Sequence, residues 1–459
     1  MASVDVAVIG GGISGLAVAY ELHRRGVHFA LLEATPRLGG VIRTDHIDGF
    51  TLDAGPDSLL TQKPAGIQLC EELGLENRLI STLEPRTAYV LRQRLHPIPA
   101  GSVMGVPSTF MPWVTSSLLS PSAKLRMAQE LFLPAGNASQ ESVGQFFRRR
   151  FGQEAVDYLA EPLLAGIHAG DVETLSIAAL FPRLVEAEQN HGSVIRALQH
   201  QRKRPVVPNQ GMFRSLAGGL EELVQTLRMA IPSEAIRVDS PVMAIIGPSP
   251  YTLQVRSARR LIARSVILAT PAHSAAGLVR HLDERLAALC REIPYTSSVT
   301  VLLAYPRSAI RRPKPGSGFV VPRLEPNIPL LAGSWVTSKW PDRAPEDFVL
   351  LRGFLGDVRN PEILESSDDE LVTRTHHTFA QLLDINQKPV LSRVYRWQQA
   401  NAQHNVGHIG KMEAIEHRLK RLPGVFITGA GFRGTGIPDC VRDGRKTAVQ
   451  SAEWQAEYA

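Results

Sequence analysis

Residues 4–25 read VDVAVIGGGISGLAVAYELHRR. Five of the first six residues are small or β-branched apolar residues, which is typical of a strand buried on both faces. Gly10, Gly12 and Gly15 follow with the spacing G-x-G-x-x-G, and apolar side chains then recur at helical spacing. A strand, a glycine turn and a helix in this order predict a dinucleotide-binding unit, in which a pyrophosphate approaches the start of the helix. A glycine turn that serves packing alone is the alternative, and the flanking strand and helix argue against it.

The next segment predicts which dinucleotide binds. A second apolar strand at residues 29–32 ends on Glu33, at the distance from the glycines where an acid accepts a hydrogen bond from a ribose 2′-hydroxyl. Gly39 and Gly40 follow, with Arg37 before them and Arg43 after them. This arrangement offers close backbone approach and positive charge to a longer dinucleotide, and we interpret it as a flavin feature. An ordinary glycine turn is the alternative.

Composition narrows the class of protein. The chain has 459 residues, of which 44% are hydrophobic and 20% charged, as expected for a globular protein with two or three domains. Its formal charge of +6 is mild and no dense basic block occurs, which argues against nucleic acid as a partner. The three cysteines, Cys70, Cys290 and Cys440, are far apart, so we expect a reducing compartment and neither a disulfide framework nor a metal site.

One part of the chain suggests contact with a membrane. The first strand starts at Val4, so we expect no cleavable signal, and no run of 18 apolar residues predicts a spanning helix. Residues 95–123 nevertheless lack Asp, Glu, Lys and Arg and contain several prolines. Burial against another domain and binding to a bilayer surface both explain such a segment. Its expected apolar surface comprises Phe110, Met111, Trp113, Leu118 and Leu119, with a helical face (Leu125, Ala128, Leu131, Phe132) and basic residues at 148–150 and 202–204 nearby.

Four motifs together resemble a known family. Besides G-x-G-x-x-G, residues 33–40 fit E-x-x-x-R-x-G-G, residues 53–58 fit D-x-G-P-D-S, and residues 425–440 read VFITGAGFRGTGIPDC. This pattern resembles the monoamine-oxidase-like flavoproteins and, within them, the protoporphyrinogen and coproporphyrinogen oxidases. The resemblance covers essentially the whole chain, and its C-terminal motif is the most specific part. It favours the membrane interpretation, because residues 95–204 match that family's membrane-binding domain.

The resemblance implies an α/β fold with three domains. These are a Rossmann-like FAD-binding domain built from separated segments (residues 1–94, 205–296 and 409–459), an antiparallel-sheet substrate domain (297–408) and an α-helical membrane-binding domain (95–204). It also implies that two distant chain ends close around FAD. The implied FAD-binding residues are Gly10, Gly11, Gly12, Ile13, Ser14, Gly15, Glu33, Ala34, Arg37, Gly39, Gly40, Val41, Gly55, Pro56, Asp57, Ser58, Val242, Trp397, Gly429, Thr435, Gly436 and Ile437.

The same resemblance implies a substrate and a reaction. Arg86 matches a carboxylate-binding arginine, Gly170 a glycine whose carbonyl faces the tetrapyrrole, and Val320 an apolar residue on the macrocycle. Alone, Arg86 also fits a surface arginine and Gly170 a helix C-cap, and His168 fits a structural role better than a catalytic one. No nucleophile–base pair or metal cluster stands out, as expected where a flavin does the chemistry. The implied reaction is six-electron oxidation of protoporphyrinogen IX in heme biosynthesis by hydride transfer to FAD, with oxygen as acceptor and hydrogen peroxide released.

Several alternatives stay open at this point. Coproporphyrinogen III is the second substrate, and a flavin amine oxidase or carotenoid desaturase is a second kind of enzyme. A non-catalytic regulator of prenylated small GTPases shares the fold without flavin. One stretch departs from the family, because residues 400–404 read ANAQH where Ala-x-Pro-Gln-Tyr is usual. We expect a cytoplasmic protein at the inner face of the cell membrane, with a homodimer as one option.

Overall fold

The computed structural model describes residues 2–202, 211–256 and 259–457. The predicted domain boundary after residue 204 and the basic residues Lys203 and Arg204 lie outside these residues. A seven-stranded sheet forms the centre of the nucleotide-binding part, and its strands come from three distant parts of the chain. The prediction that this domain is built from separated segments agrees with that sheet.

The central sheet is parallel around the glycine turn. Its strands, in spatial order, are Ile236–Arg237, Phe29–Leu32, Ala2–Ile9, Arg259–Leu268, Tyr251–Val255 and Val242–Ile246. The first four are parallel to one another. Each of the last two is antiparallel to the strand that precedes it in this order. Val425–Ile427 also pairs in parallel with the end of Arg259–Leu268, at Val266–Leu268. This pairing places the C-terminal segment at the same carboxyl end of the parallel strands as the turn after Ile9.

Alternation along the first strand explains why residues 6–9 are all apolar. Val6 and Val8 face a core shared with the helices Ile13–Arg24, Glu221–Ala230 and Ile437–Glu457. Ala7 and Ile9 face a second core, which the helices Ala272–Val279, Glu284–Arg291 and His408–Leu419 cover. Because helices cover both faces, the strand has no polar side, as expected for a parallel sheet.

A second sheet of seven strands takes most of its strands from residues 297–408, where an antiparallel sheet was predicted. Its order is Leu391–Ala402, Tyr295–Pro306, Phe348–Leu355, Ala332–Trp335, Gly318–Val320, Ala88–Arg92 and Arg94–Pro97. All neighbours are antiparallel except Gly318–Val320 and Ala88–Arg92, which are parallel. The sheet therefore includes the strand Ala88–Arg92, which the sequence analysis placed in the first FAD-binding segment, and the strand Arg94–Pro97, which crosses the predicted boundary at residue 95. Helix Asp368–Leu383 packs on it through Leu371, Phe379 and Leu383.

A helical region lies between the first and second nucleotide-binding segments. Its helices are Met111–Thr115, Pro121–Ala128, Val143–Phe151, Gln153–Ala155, Gly166–His168, Ile177–Leu180, Pro182–His191 and Val194–Arg202, with a π-helix at Val156–Ala165. The expected helical face after Ser122 is broken, because a 3₁₀ turn at Gln129–Phe132 follows Pro121–Ala128. The described residues contain no helix that is long and apolar enough to cross a membrane.

Short elements connect these parts. The remaining strands are Thr44–Ile47, Phe50–Asp53, Leu59–Leu60, Leu79–Ser81, Ser102–Val103, Val106–Pro107 and Phe213–Leu216. The remaining helices are Ala65–Glu72 and Val336–Lys339, with 3₁₀ turns at Glu76–Arg78, Ala138–Gln140, Ser233–Ala235, Arg307–Ala309 and Pro361–Glu365.

Candidate cofactor and substrate site

The glycine turn has the geometry that its motif predicts. Gly10 has φ of +106°, and a Cβ on it would lie 2.7 Å from the carbonyl oxygen of Ala269. A Cβ on Gly15 would lie 1.9 Å from the carbonyl oxygen of Gly10, so the helix packs on the strand too closely for any side chain. The helix begins at Ile13 after Gly12, without a side-chain cap, and a Cβ on Gly12 would meet no atom within 4 Å. Open space thus faces the start of the helix, where its N–H groups favour an anion.

Glu33 joins the glycine turn to the adjacent strands. Its Oε2 accepts a hydrogen bond from the Gly11 N–H at 2.7 Å, and its Oε1 accepts one from the Thr35 N–H at 2.9 Å. The Ser240 N–H donates to the Glu33 carbonyl at 2.8 Å, which brings the start of the Val242 strand beside this acid. The half-buried carboxylate therefore lies between the turn and the predicted adenine-contacting residue.

The second glycine pair packs on the first motif. The Gly39 N–H donates to the carbonyl of Gly11 at 2.8 Å, and Gly39 forms a parallel bridge with Gly12. Arg37 donates to the carbonyls of Leu38 at 3.0 Å, Ile42 at 2.7 Å and Gly40. The guanidinium of Arg37 thus orders the loop from within, while Ala34, Gly40 and Val41 stay exposed.

A buried charge cluster supports the D-x-G-P-D-S segment. Asp57 Oδ2 accepts hydrogen bonds from Lys339 Nζ at 2.7 Å and Trp340 Nε1 at 3.1 Å, and Arg352 Nη1 lies 3.9 Å away. Burial alone would raise the pKa of Asp57, but Lys339 and Arg352 outweigh it and hold the pKa well below its usual range. Ser58 also donates to Asp57. Sequence reasoning missed the three partners, although an arginine inside the apolar strand Phe348–Leu355 was a usable signal.

Gly55 adjoins Val41 and Trp397. A Cβ on Gly55 would lie 1.8 Å from the carbonyl oxygen of Val41 and 3.7 Å from the Trp397 ring. Trp397 Nε1 donates to the carbonyl of Ala54 at 3.2 Å. The structure therefore brings together three predicted FAD-binding residues, with the neighbouring Pro56 half-buried in the same turn.

The C-terminal motif reaches the same region from the other chain end. Thr428 N–H donates to the carbonyl of Leu268 at 2.9 Å, and Gly429 follows with φ of +123°. Helix Ile437–Glu457 packs so closely on the first helix that a Cβ on Gly444 would lie 2.6 Å from the carbonyl oxygen of Ser14. Thr435 and Gly436 lie just before this helix and are half-buried. Lys63 Nζ anchors the helix start through Asp439, at 2.5 Å.

These residues fit an FAD molecule. The space next to Gly12 at the start of the first helix is open, and Glu33 lies beside the glycine turn. Thr270 adds an independent sign: its Oγ1 is buried without a hydrogen-bond partner among the described residues, and its methyl group lies against Gly10. A buried hydroxyl usually has a partner, and a bound dinucleotide would supply oxygen atoms for this one.

The predicted substrate residues lie in two places. Arg86 is partly exposed and pairs with Glu84 at 2.9 Å, beside Gly211. Val320 is half-buried and packs on the core of the helical region. The carbonyl of Gly170 accepts a hydrogen bond from Arg323 Nη2 at 2.7 Å, and a Cβ there would lie 2.4 Å from Gln403 Oε1, so only glycine fits.

Arg323 was not predicted, yet it joins the helical region to the second sheet. It contacts Glu161 at 2.8 Å and Asp171 at 3.0 Å, and Arg359 also contacts Asp171 at 3.0 Å. Burial raises the pKa of Glu161 to about 7 despite Arg323. Glu161 lies in the π-helix, a form often found at functional sites.

His168 has the surroundings of a structural residue. Burial, with Lys63 nearby, lowers its pKa to about 4, so the ring is neutral at pH 7. The ring packs edge-on against Phe181, with centroids 6.1 Å apart. Its carbonyl accepts a hydrogen bond from Gln403 Nε2 at 2.8 Å.

The expected apolar surface of the helical region needs correction. Trp113, Leu118 and Leu119 are buried in that region's own core and were wrongly expected to be exposed. The apolar side chains that are exposed are Phe110, Met111, Val114, Leu125 and Phe132.

The basic triplet at residues 148–150 was also misread as available charge. Arg150 is buried and pairs with Glu130, because burying a guanidinium requires a carboxylate partner. Arg149 pairs with Glu141 and Glu188, each at 2.6 Å, and Arg148 pairs with Glu173 at 2.6 Å. These arginines stabilise the helical region and do not form a free cationic patch.

Comparison with known proteins shows which family the chain matches. Residues 13–450 match the family model for flavin containing amine oxidoreductases. The chain is 35% identical to the coproporphyrinogen III oxidase of Bacillus subtilis (strain 168), over 97% of both chains, and 28% identical to protoporphyrinogen oxidase 2 of Arabidopsis thaliana, over 96% of this chain and 92% of the relative.

Solved structures show the same fold. A crystal structure of a 31% identical protein from Exiguobacterium sp. 255-15 covers 100% of both chains with a TM-score of 0.85. Cyclohexylamine oxidase from Brevibacterium oxydans IH-35A, 20% identical, has a TM-score of 0.72 over 98% of this chain and 99% of its own, which shows the fold alone. The fold, the glycine turn and the full-length relatives thus agree, and the chain is an FAD-dependent oxidoreductase that belongs to the porphyrinogen oxidases of the flavin containing amine oxidoreductase family.

Proposed function

We propose that this enzyme removes six electrons from a porphyrinogen to form a porphyrin in heme biosynthesis, with molecular oxygen as the acceptor. The full-length identity of 35% to a coproporphyrinogen III oxidase carries this proposal. Protoporphyrinogen IX and coproporphyrinogen III are the two candidate substrates, and they differ in having two or four propionates. The sequence analysis places protoporphyrinogen IX first, whereas the Bacillus subtilis relative favours coproporphyrinogen III.

The surroundings of Arg86 suit an apolar disc that carries carboxylates. Exposed apolar side chains adjoin it in the chain and in space: Leu83, Met212 and Phe213. Lys339 Nζ lies 5.9 Å from the centre of the Phe213 ring, and the Leu83 N–H donates to the Lys339 carbonyl at 3.0 Å. A guanidinium beside apolar surface binds a propionate bidentately while the macrocycle covers the apolar side chains.

The chain's own residues bind and orient the substrate. When bound, FAD supplies a two-electron acceptor, which is chemistry that side chains lack. Arg86 holds a propionate, and Val320 packs on the macrocycle. Arg323 fixes the carbonyl of Gly170, so that the wall formed by this glycine keeps one shape.

An assay on two substrates tests the function. Purified protein under air should convert one or both porphyrinogens to fluorescent porphyrin and consume oxygen. Faster turnover of coproporphyrinogen III than of protoporphyrinogen IX at equal concentration would identify the substrate, and the reverse ratio would favour protoporphyrinogen IX. Protein that contains FAD but oxidises a primary amine and neither porphyrinogen would contradict the proposal.

We further propose that the protein associates with the inner face of the cell membrane through the exposed apolar side chains of the helical region. Met111 and Phe132 are 72% and 82% exposed, and Val114 and Leu125 lie near them in the chain. Exposed apolar side chains of this size insert into the interface between headgroups and acyl chains. Lys124, whose ammonium group lies 2.9 Å from the Val114 carbonyl, adds a cation beside them.

A further inference from the structure

Two buried histidines stack beside the C-terminal glycine loop, residues 429–436. The ring centroids of His404 and His408 lie 3.9 Å apart, and the angle between the ring planes is 10°. His404 Nε2 lies 2.9 Å from the carbonyl oxygen of Ala430, and His408 Nε2 lies 2.9 Å from that of Phe432. Because a carbonyl oxygen only accepts hydrogen bonds, each ring carries its proton on Nε2.

Both rings are neutral at pH 7. Burial lowers the pKa of His404 to about 3, and the neighbouring His408 and His168 act in the same direction. Burial also lowers the pKa of His408, and Lys411 adds to this effect. Two neutral imidazoles stack without charge repulsion, so each ring supports the other while each donates one hydrogen bond.

These hydrogen bonds set the direction of peptide groups in the loop. A trans peptide is planar, with its C=O and the following N–H on opposite sides. Holding the Ala430 oxygen towards His404 therefore turns the Gly431 N–H away from the histidines. The Phe432 oxygen and the Arg433 N–H are related in the same way, and the Phe432 N–H closes the turn by donating to the Gly429 carbonyl at 3.0 Å.

The turn that carries the histidines also contacts the other two parts of the molecule. Gln403 Nε2 donates to the carbonyl of His168 at 2.8 Å and to Thr296 Oγ1 at 3.0 Å. The Ser176 N–H donates to the His404 carbonyl at 2.9 Å. One short segment, residues 403–408, thus connects the helical region and the second sheet to the loop that follows the strand Val425–Ile427.

We propose that His404 and His408 are positioning residues for FAD, which orient the peptide groups of residues 430–433 towards the cofactor. The proposal rests on the assignment of residues 429–437 to FAD and does not depend on which substrate is oxidised. It also gives His404 a chemical role at the position where the sequence departs from its family, because this chain has an imidazole that donates to Ala430 where the family pattern has a tyrosine.

Release of FAD from the holoenzyme tests the proposal. His404→Phe and His408→Phe each keep a ring in the stack but remove the donor, and they should release FAD about tenfold faster, followed by the rise in flavin fluorescence after dilution. His404→Tyr restores a ring-borne donor and should recover most of the loss. His376→Phe is the matched control, because it removes another stacked imidazole, whose Nδ1 lies 2.9 Å from the Tyr305 hydroxyl in the second sheet.

Release at the wild-type rate in both His404→Phe and His408→Phe would overturn the proposal, and so would equal acceleration in His376→Phe. If His404→Phe does not accumulate as folded protein, the other two variants test the proposal. FAD release at the wild-type rate from His408→Phe would overturn the proposal, and so would fast FAD release from His404→Tyr. Porphyrinogen turnover is measured separately. Holoenzyme that binds FAD but oxidises no porphyrinogen would contradict the proposed function and leave the histidine result intact.

Discussion

Lys339 Nζ lies 2.7 Å from Asp57 Oδ2, although 282 residues separate the two in the chain. The lysine ends a short helix that follows the strand Ala332–Trp335 of the second sheet, and the aspartate lies in the segment predicted to border the flavin. Trp340 and Arg352 complete the contacts of this carboxylate. The pair therefore fixes the second sheet to the nucleotide-binding part where cofactor and substrate are expected to meet.

Breaking this pair should destabilise the protein. Lys339→Met removes one partner of a largely buried ion pair and should lower the free energy of unfolding by about 3 kcal/mol, measured by urea denaturation. Asp57→Asn combined with Lys339→Met should recover part of this loss, because no unpaired charge remains. Lys388→Met, at an exposed site, is the control. A loss below about 1 kcal/mol in Lys339→Met would show that Arg352, Trp340 and Ser58 satisfy Asp57 without the lysine.

The local parts of the site were predictable from the sequence. Strand, glycine turn and helix lie within about 20 residues, so the geometry of Gly10 and Gly15 follows from neighbouring residues alone. Lys339, Arg352 and Gln403 were missed because each meets its partner only after distant segments fold together. The pairing of parallel strands places those segments, and no local pattern records that pairing.

Residues 95–123 show a different limit of prediction from sequence. Composition marked residues 95–123 as unusual, but it does not say which side of an irregular segment the core covers. Met111 and Trp113 are two residues apart, yet the first is exposed and the second is buried. Arg150 was read as surface charge because Glu130, 20 residues away, was not recognised as its partner.

Arg86 should act on substrate binding alone. Arg86→Ala removes the guanidinium proposed to hold a propionate, so KM for the porphyrinogen should rise about tenfold or more, since a charge-assisted hydrogen bond contributes roughly 1.5–3 kcal/mol. FAD content, from the absorbance of the purified protein, should not change. Arg228→Ala, on the exposed side of helix Glu221–Ala230, should leave KM unaltered. Loss of FAD in Arg86→Ala would assign this arginine to the cofactor instead.

The exposed apolar residues of the helical region give a specific membrane test. Met111→Asp with Phe132→Asp should abolish cosedimentation with vesicles containing anionic lipid, because each aspartate replaces an inserted side chain by a charge that the leaflet repels. Met229→Asp is the matched control: Met229 is 78% exposed but lies on the nucleotide-binding part. Trp113 and Leu119 are unsuitable targets, since aspartate there would disrupt the core. Cosedimentation that survives in the double variant would contradict the proposed surface.

His168 should make the protein less stable in acid. Its pKa is lowered to about 4 in the folded state, whereas an unfolded histidine titrates near 6.5. As the pH falls below about 6.5, His168 takes up a proton in the unfolded state but stays neutral in the folded state. The free energy of unfolding therefore decreases down to about pH 4. At pH 5 this loss is about 2 kcal/mol relative to pH 7. His168→Phe should reduce the difference between urea denaturation at the two values by that amount, and His281→Phe, at an exposed site, should not.

A substitution at Thr270 tests whether its buried hydroxyl contacts FAD. Its buried hydroxyl has no partner among the described residues, and Thr270→Val keeps the shape while removing the polar atom. In the protein without FAD, Thr270→Val should leave the free energy of unfolding unchanged or raise it slightly, because an unpaired buried hydroxyl is removed. If FAD supplies the partner, the variant should bind FAD several-fold more weakly, measured by flavin fluorescence during titration of the stripped protein. Equal FAD affinity in Thr270→Val and wild type would show that this hydroxyl does not contact the cofactor, while weaker affinity with unchanged stability of the stripped protein would place it in the FAD site.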